Sequence, residues 1–196
     1  MHKPQGPGHL PDCPAPDDGS RECVTLGHGE GGRLSRRLIR ERILPRLGNQ
    51  WLDPLGDAAE LPVVSGQLAF TTDGFTVTPL FFPGGDIGKL AVFGTVNDLA
   101  MANAVPRWLS LSMIIEEGLP WDVLDRVLDG VRSAANAVDV RIVTGDTKVV
   151  EKGKGDGVFI NTTGLGIVAD GVELSADRAT PGDKVLLSGS IGEHGI

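Results

Sequence analysis

Four aspartates, Asp57, Asp73, Asp98 and Asp146, stand in apolar or glycine-rich sequence where a carboxylate has little structural use. Two of them close strand-like runs, LAFTTD (Leu68–Asp73) and VRIVTGD (Val140–Asp146). An unpartnered carboxylate is costly to bury, so a fold must neutralise it, pair it or bind it to metal. If the four converge, each pair about 4 Å apart repels by roughly 4 kcal/mol at an effective dielectric of about 20. Divalent cations relieve that repulsion, and oxygen-rich sites suit Mg²⁺ held together with substrate phosphates. The expectation is a shared acidic pocket.

Bulk properties are compatible with it. A chain of 196 residues, 40% apolar, supplies one core and the start of a second domain. No run approaches the apolar length of a membrane span. Basic residues number 18 against 26 acidic, a net charge of −8. That balance argues against a nucleic-acid binder, whose footprint is basic. An anionic ligand would have to be met locally, by backbone amides, a lysine or metal ions. Cys13 and Cys23 flank a proline-rich stretch and match no metal-ligand spacing. They are expected to be free, reduced thiols of a cytoplasmic protein. The N-terminus has no signal-peptide pattern.

Residues 1–22 carry five prolines and no periodicity, and read as a disordered extension. A short strand, Val24–Leu26, is expected before HGEGG (His28–Gly32) and an arginine-rich helical segment whose apolar residues form no clean stripe. Its six arginines, Arg33 to Arg46, read as a solvated face. After LAFTTD, a helix from Ile87 to Ala104 should be buried on most sides. It places Asp98 one turn beyond Gly94, a residue that leaves room for something beside it. A strand over Arg107–Glu117 leads into an amphipathic helix over Trp121–Val138. Leu124, Val127, Leu128, Val131, Ala135 and Val138 line its inner side, and it reads as a sheet cover without chemistry. Strands over Val140–Thr144 and Val158–Val168 complete an α/β (α+β) fold, a mixed sheet covered by helices. KVLLSGSIGEHGI, beyond Pro181, begins another strand and a glycine-rich turn. The expected division is an extension (1–22), a domain (23–170), and a linker with the truncated start of a second domain (171–196).

Gly27, Gly29 and Gly32 spell a dinucleotide fingerprint in outline, with Asp53 downstream. Its context fails, because Asp53 sits in WLDPLGD and the intervening helix is too basic to pack on a sheet. FPGGDIGKL is not a Walker A loop: Pro83 replaces the first glycine, and Leu90 stands where Ser or Thr should hold Mg²⁺. Gly84 and Gly85 can still turn amides toward an anion, and Lys89 opens a helix whose N-terminus favours negative charge. In TGDTKVVEKGKGDG, Asp146 ends a buried strand with Thr147 and Lys148 directly after it, and Glu151–Gly157 reads as an exposed, flexible loop. His28 and His194, lone histidines in glycine-rich turns, read first as structural or solvated.

The motifs HGEGG, GDAAEL, FTTDGF, PLFFPGGDIGKLA, GTVNDLAM, EEGLP, IVTGDTKVV, INTTGLG and SGSIGEHG, in that order, resemble the HypE family of hydrogenase maturation factors. That family belongs to the aminoimidazole ribonucleotide synthetase-like (PurM-like) superfamily of ATP-using enzymes. The resemblance runs from Val24 to the end and implies a PurM N-terminal-like domain that dimerises through its sheet and binds ATP with Mg²⁺. It implies metal ligation by Asp57, Asp73, Asp98 and Asp146. Nucleotide contacts are implied at His28, Gly29, Gly31 and Gly32, at Gly84, Gly85 and Lys89, and at Lys148. The implied reaction is ATP-dependent dehydration of a carbamoyl group on the protein's own C-terminal cysteine to a thiocyanate. That product supplies cyanide to nickel–iron hydrogenase, with the carbamoyltransferase HypF and a HypC–HypD scaffold as partners. Selenophosphate synthetase or thiamine monophosphate kinase would use the same aspartates on another acceptor, and a non-catalytic, dimerising scaffold is the third reading. Because the chain stops at Ile196, the second domain and the acceptor cysteine are expected to be absent, so nucleotide binding is expected to be weaker and self-directed dehydration to be lost.

Overall fold

A computed structural model describes residues 23–171 and 174–191. The proline-rich extension, Cys13 and His194 lie outside the described residues. Among the described residues six strands and four α-helices follow in chain order: α1 (Arg33–Leu38), continued by a π turn (Ile39–Ile43) into α2 (Leu44–Leu47), then β1 (Leu68–Phe75), β2 (Phe81–Phe82), β3 (Gly85–Asp86), α3 (Ile87–Met101), β4 (Ala104–Glu116), α4 (Trp121–Ala137), β5 (Arg141–Val150) and β6 (Val158–Val168). The main sheet is ordered β1-β6-β4-β5, while β2 and β3 form a small hairpin. β6 pairs antiparallel with β1 and with β4, and β5 runs parallel to β4. A parallel neighbour requires a crossover, and α4 supplies it.

Helices α3 and α4 cover one face of the sheet. Alternation along β4 sends Leu109, Leu111, Met113 and Ile115 inward against Ile87 and Val92 of α3 and Leu124, Val127, Leu128 and Val131 of α4. The expected stripe on α4 is the one the structure buries. Helix α3 departs from expectation. Only one side is covered, and Leu90, Phe93, Asp98 and Met101 are exposed. The space beside Gly94 is filled, since a Cβ there would meet the Phe75 ring at 2.8 Å.

Asp86 is not among the expected site residues. It is buried, and its carboxylate caps α3 by accepting the Lys89 backbone N–H at 2.9 Å. Capping of this kind satisfies one of the orphan amides of the first turn. Gly130 of α4 makes the room, because a Cβ there would collide with that carboxylate.

The arginine-rich helix explains its own disordered pattern. Pro45 cannot donate a backbone hydrogen bond, and its ring crowds the carbonyl four residues back. The π turn just before it absorbs one extra residue. Buried Leu38 and Ile43 are therefore five positions apart, whereas Ile43 and Leu47 return to four. Its arginines also divide. Arg42 and Arg46 reach the Asp125 carboxylate at 2.6 and 3.3 Å, and Arg46 also reaches Asp129 at 3.2 Å, clamping this helix to α4. Arg33, Arg36, Arg37 and Arg40 are exposed, as expected for a solvated face.

Three other expectations change. Val24–Leu26 is not a strand: Cys23 makes a single bridge to Pro120, and a 3₁₀ turn (Leu26–His28) follows. Cys23 is disulfide-bonded rather than a free thiol. Residues 184–191 form no regular element, and Val185 and Leu186 are exposed.

Among the described residues no helix covers the opposite face of the sheet. A polar band crosses it in register, Thr72–Thr163–Ser110–Thr144 beside Gly74–Asn161–Ser112–Asp146. Apolar residues flank the band, with Phe70 70% and Ile114 42% exposed. Among the described residues no helix is long and apolar enough to cross a membrane.

Candidate nucleotide site at the β5 edge

β5 does not stop at Asp146, as expected, but runs on to Val150. Asp146 therefore sits in mid-strand and is exposed, held by the Thr147 backbone N–H at 2.9 Å and paired with Lys148 Nζ at 3.2 Å. Alternation turns Gly145 and Thr147 the other way, toward the N-terminal segment.

That segment lies directly on β5. Gly29 touches the Val149 backbone so closely that a Cβ would collide with its nitrogen. His28 is buried, and its Nδ1 accepts the Thr25 N–H at 3.0 Å and lies 2.9 Å from Thr25 Oγ1. Its ring meets Trp121 edge-on at 5.0 Å. His28 thus fixes the turn that delivers the glycines. The Gly31 amide donates to Ser35 Oγ at 2.9 Å, and Gly32 is the N-cap residue of α1.

The tip of β4 secures both neighbouring loops. Glu117 Oε1 accepts the Leu26 N–H at 3.2 Å. Glu116 accepts the N–H groups of Gly153 at 2.5 Å and Gly157 at 3.0 Å. The stretch Glu151–Gly157 is exposed as expected, yet its two ends are tied. On the far wall, Asn49 donates to Ile142 O at 2.8 Å and accepts from the amides of Trp51 and Leu52 at 3.0 and 3.3 Å. Beside these anchors lies a cavity of about 230 Å³. Its lining includes the apolar side chains of Ile39, Ile43, Trp51, Leu52, Leu55 and Met113. It also includes His28, Gly29, Gly31, Asp146, Thr147 and Lys148.

The remaining sequence-predicted residues lie elsewhere. Asp57 is exposed in the irregular segment before β1, directly after Gly56, which lines the cavity. Gly84 turns the β2–β3 hairpin at φ +90°, Gly85 packs on the Phe82 ring, and Lys89 Nζ sits 3.8 Å from Asp86. Asp73 and Asp98 belong to the opposite edge of the sheet. Thr71 Oγ1 donates to Asp98 at 3.0 Å, and Asp73 accepts the Gly74 N–H at 2.8 Å. Three strand spacings separate β1 from β5, roughly 14 Å.

The four aspartates therefore do not meet within one chain. Among the described residues no group of three or more His, Cys, Asp or Glu side chains could hold a metal ion. Sequence reasoning also passed over Ser35, Asn49, Trp51, Asp86 and Glu116. Only Asp86, one residue before an apolar helical run, carried a usable signal, that of an N-cap.

Comparison with known proteins fits this frame. The chain belongs to the AIR synthase related protein family, whose N-terminal domain matches residues 56–168. Within that family it is similar to HypE proteins. It is 54% identical over 173 residues to the hydrogenase expression/formation protein HupE of Azotobacter chroococcum mcd 1, covering 88% of this chain and 51% of that protein. Against carbamoyl dehydratase HypE of Escherichia coli K12 the identity is 44% over 177 residues, covering 88% and 53%. The crystal structure of a HypE in complex with ATP superposes with a TM-score of 0.78 at 52% identity, covering 81% of this chain and 47% of that one. A HypE–HypF complex gives a TM-score of 0.58 at 48% identity, covering 74% and 47%. The chain spans about half the length of the curated relatives it matches. The resemblance read from the ordered motifs is borne out, as is the α/β fold.

Proposed function

We propose that this chain is the nucleotide-binding, N-terminal part of a HypE-type carbamoyl dehydratase. The observation that carries the reading is the cavity at the β5 edge, which residues of HGEGG and GDTK, far apart in sequence, both line. ATP bound by the similar HypE supports it. In the reaction, the carboxamide oxygen of a carbamoyl thioester takes the γ-phosphoryl group of ATP. It then leaves as phosphate as the C–O bond breaks and the nitrogen gives up its protons, so that a thiocyanate and ADP result. An amide oxygen is a poor leaving group and a phosphorylated one is good. Such a transfer asks mainly for positioning and charge neutralisation.

Lys148 supplies a cation beside the phosphates, and the Gly29–Gly32 segment lets the backbone approach them closely. His28 holds that segment in place from behind. Mg²⁺ is usually held by one or two carboxylates together with phosphates rather than by an all-protein cage. Asp146 at the cavity, with Asp57 next to the cavity-lining Gly56, fits that requirement. Bound there, the ion would neutralise charge on the transferring group. The hairpin glycines and Lys89 are a less suitable phosphate site, since Asp86 already caps that helix.

The uncovered sheet face, apolar around a polar band, is the surface through which two copies would dimerise in the cytoplasm. HypF and the HypC–HypD scaffold are the expected maturation partners. Titration calorimetry with MgATP tests the reading. Saturable heat at one nucleotide per chain is expected, and no heat at millimolar MgATP overturns it.

A further inference from the structure

We propose that the outward arginine stripe of the N-terminal helix is a docking surface for the acidic segment that precedes it in the chain, residues 11–22. Arg33, Arg36, Arg37 and Arg40 are spaced i, i+3, i+4 and i+7, and all four are exposed. At that spacing they share one face, about 10 Å long at 1.5 Å per residue. Like charges so placed repel one another and weaken a helix. Glu41 answers Arg37 at 2.9 Å, while Arg33, Arg36 and Arg40 have no ion-pair partner among the described residues. The inward arginines differ, because Asp125 and Asp129 neutralise Arg42 and Arg46. Acidic residues outnumber basic ones by 26 to 18 in the whole chain, yet six arginines fall within residues 33–46. A cationic face on an anionic chain suits an anionic occupant.

Two observations select residues 11–22. The first is charge: Asp12, Asp17, Asp18 and Glu22 stand there against Arg21 alone. The second is place. Glu22 adjoins Cys23, which bridges to Pro120, and the next residue, Trp121, has the Arg42 guanidinium of the same helix 5.2 Å from its ring centre. The acidic segment therefore joins the fold beside the helix that bears the stripe. From Cys23 back to Asp17 the chain reaches up to about 20 Å at roughly 3.3 Å per residue. Arg42 and Arg33 are about 14 Å apart along a helix. The acids can thus cover the whole stripe. So short a tether gives a millimolar effective concentration, ahead of any free acidic partner. Each exposed pair is weak by itself, so the contact depends on several at once and on low salt. Ser35 and Ile39 of the same helix line the cavity, so the docked segment would steady one of its walls from outside.

The test uses the full chain with Arg36→Lys and Arg40→Lys, which keep the charge and put primary amines on the stripe. A water-soluble carbodiimide joins an amine to a carboxylate in contact, with loss of water, and peptide mass spectrometry locates the amide. Links from position 36 or 40 to Asp12, Asp17, Asp18 or Glu22 are expected within one chain. Their yield should not depend on protein concentration and should fall several-fold between about 0.02 and about 0.5 M salt. Links between chains that grow with concentration would assign the face to a second copy and overturn the proposal. Links confined to acids of the folded domain, such as Glu41, overturn it as well, as does a yield indifferent to salt. A second measurement needs no cross-link. Cleavage at Asp17 and Asp18 by an aspartate-specific protease should run roughly three-fold faster when all four outward arginines are changed to Gln, because cleavage follows the undocked population. An unchanged rate overturns the docking.

Discussion

The two edges of the sheet carry the same currency of residues and use it differently. At the β5 edge, the strand that carries Asp146 and Lys148 lines a cavity together with the N-terminal turn and residues 51–56, which are tied by the Gly31–Ser35 and Asn49–Ile142 hydrogen bonds. At the β1 edge, half-buried Asp73 and exposed Asp98 have similar neighbours in sequence but lie outside that cavity, with a backbone amide and Thr71 for company. An acid after an apolar strand therefore does not make a site. What makes one is a second segment brought over it.

The largest effect should come from freeing that second segment. Asp125 receives Arg42 and Arg46, and its Oδ1 is buried without a partner. Asp125→Ala leaves the partly buried Arg42 without its carboxylate and Arg46 with Asp129 as its remaining carboxylate. It should cost about 2 kcal/mol in urea unfolding and impair the β5 cavity, since the helix carrying Ile39 and Ile43 loosens. Unchanged stability would mean that the clamp is ornamental.

Next is Lys148→Ala, which removes one charge-assisted contact. It should weaken MgATP by about ten-fold in calorimetry. Equal losses from Lys89→Ala would erase the distinction between the edges. Asp98→Asn sharpens the comparison from the other side. At concentrations where the protein is monomeric, it should change MgATP affinity by less than about three-fold, because three strand spacings intervene. A larger loss that emerges only as the protein dimerises would show that a partner's β1 edge reaches the cavity. Smallest for the monomer is Phe70→Ser on the uncovered face, within about 0.5 kcal/mol in unfolding. Sedimentation should nevertheless move from dimer toward monomer; an unaltered dimer would shift the interface elsewhere.

Much of the fold was legible because its main elements follow simple periods. The stripe of α4 and the runs of β1, β4 and β6 appear where alternation or a 3.6-residue repeat puts them. The N-terminal helix was obscured because a π turn before Pro45 changes the repeat midway. The site was legible in part. GDTK and HGEGG announced themselves by unusual composition, and both line the cavity. Their pairing across more than a hundred residues was not encoded in either motif. Nor was the Asn49 anchor, whose importance comes from hydrogen-bond partners that no local pattern reveals. The convergence of all four aspartates failed for a topological reason. β6 and β4 are inserted between β1 and β5, and chain order does not disclose that.

Glu116 and Glu117 lie side by side in the chain, and neighbouring positions at a strand end send their side chains in opposite directions. One therefore fastens the loop leading into β6 while the other fastens the turn leading into α1. A disturbance at either fastening would be felt at the other through a single rigid peptide unit. The turn that carries Gly29 and the lysine-bearing loop beside it are thereby joined like two doors on one hinge post.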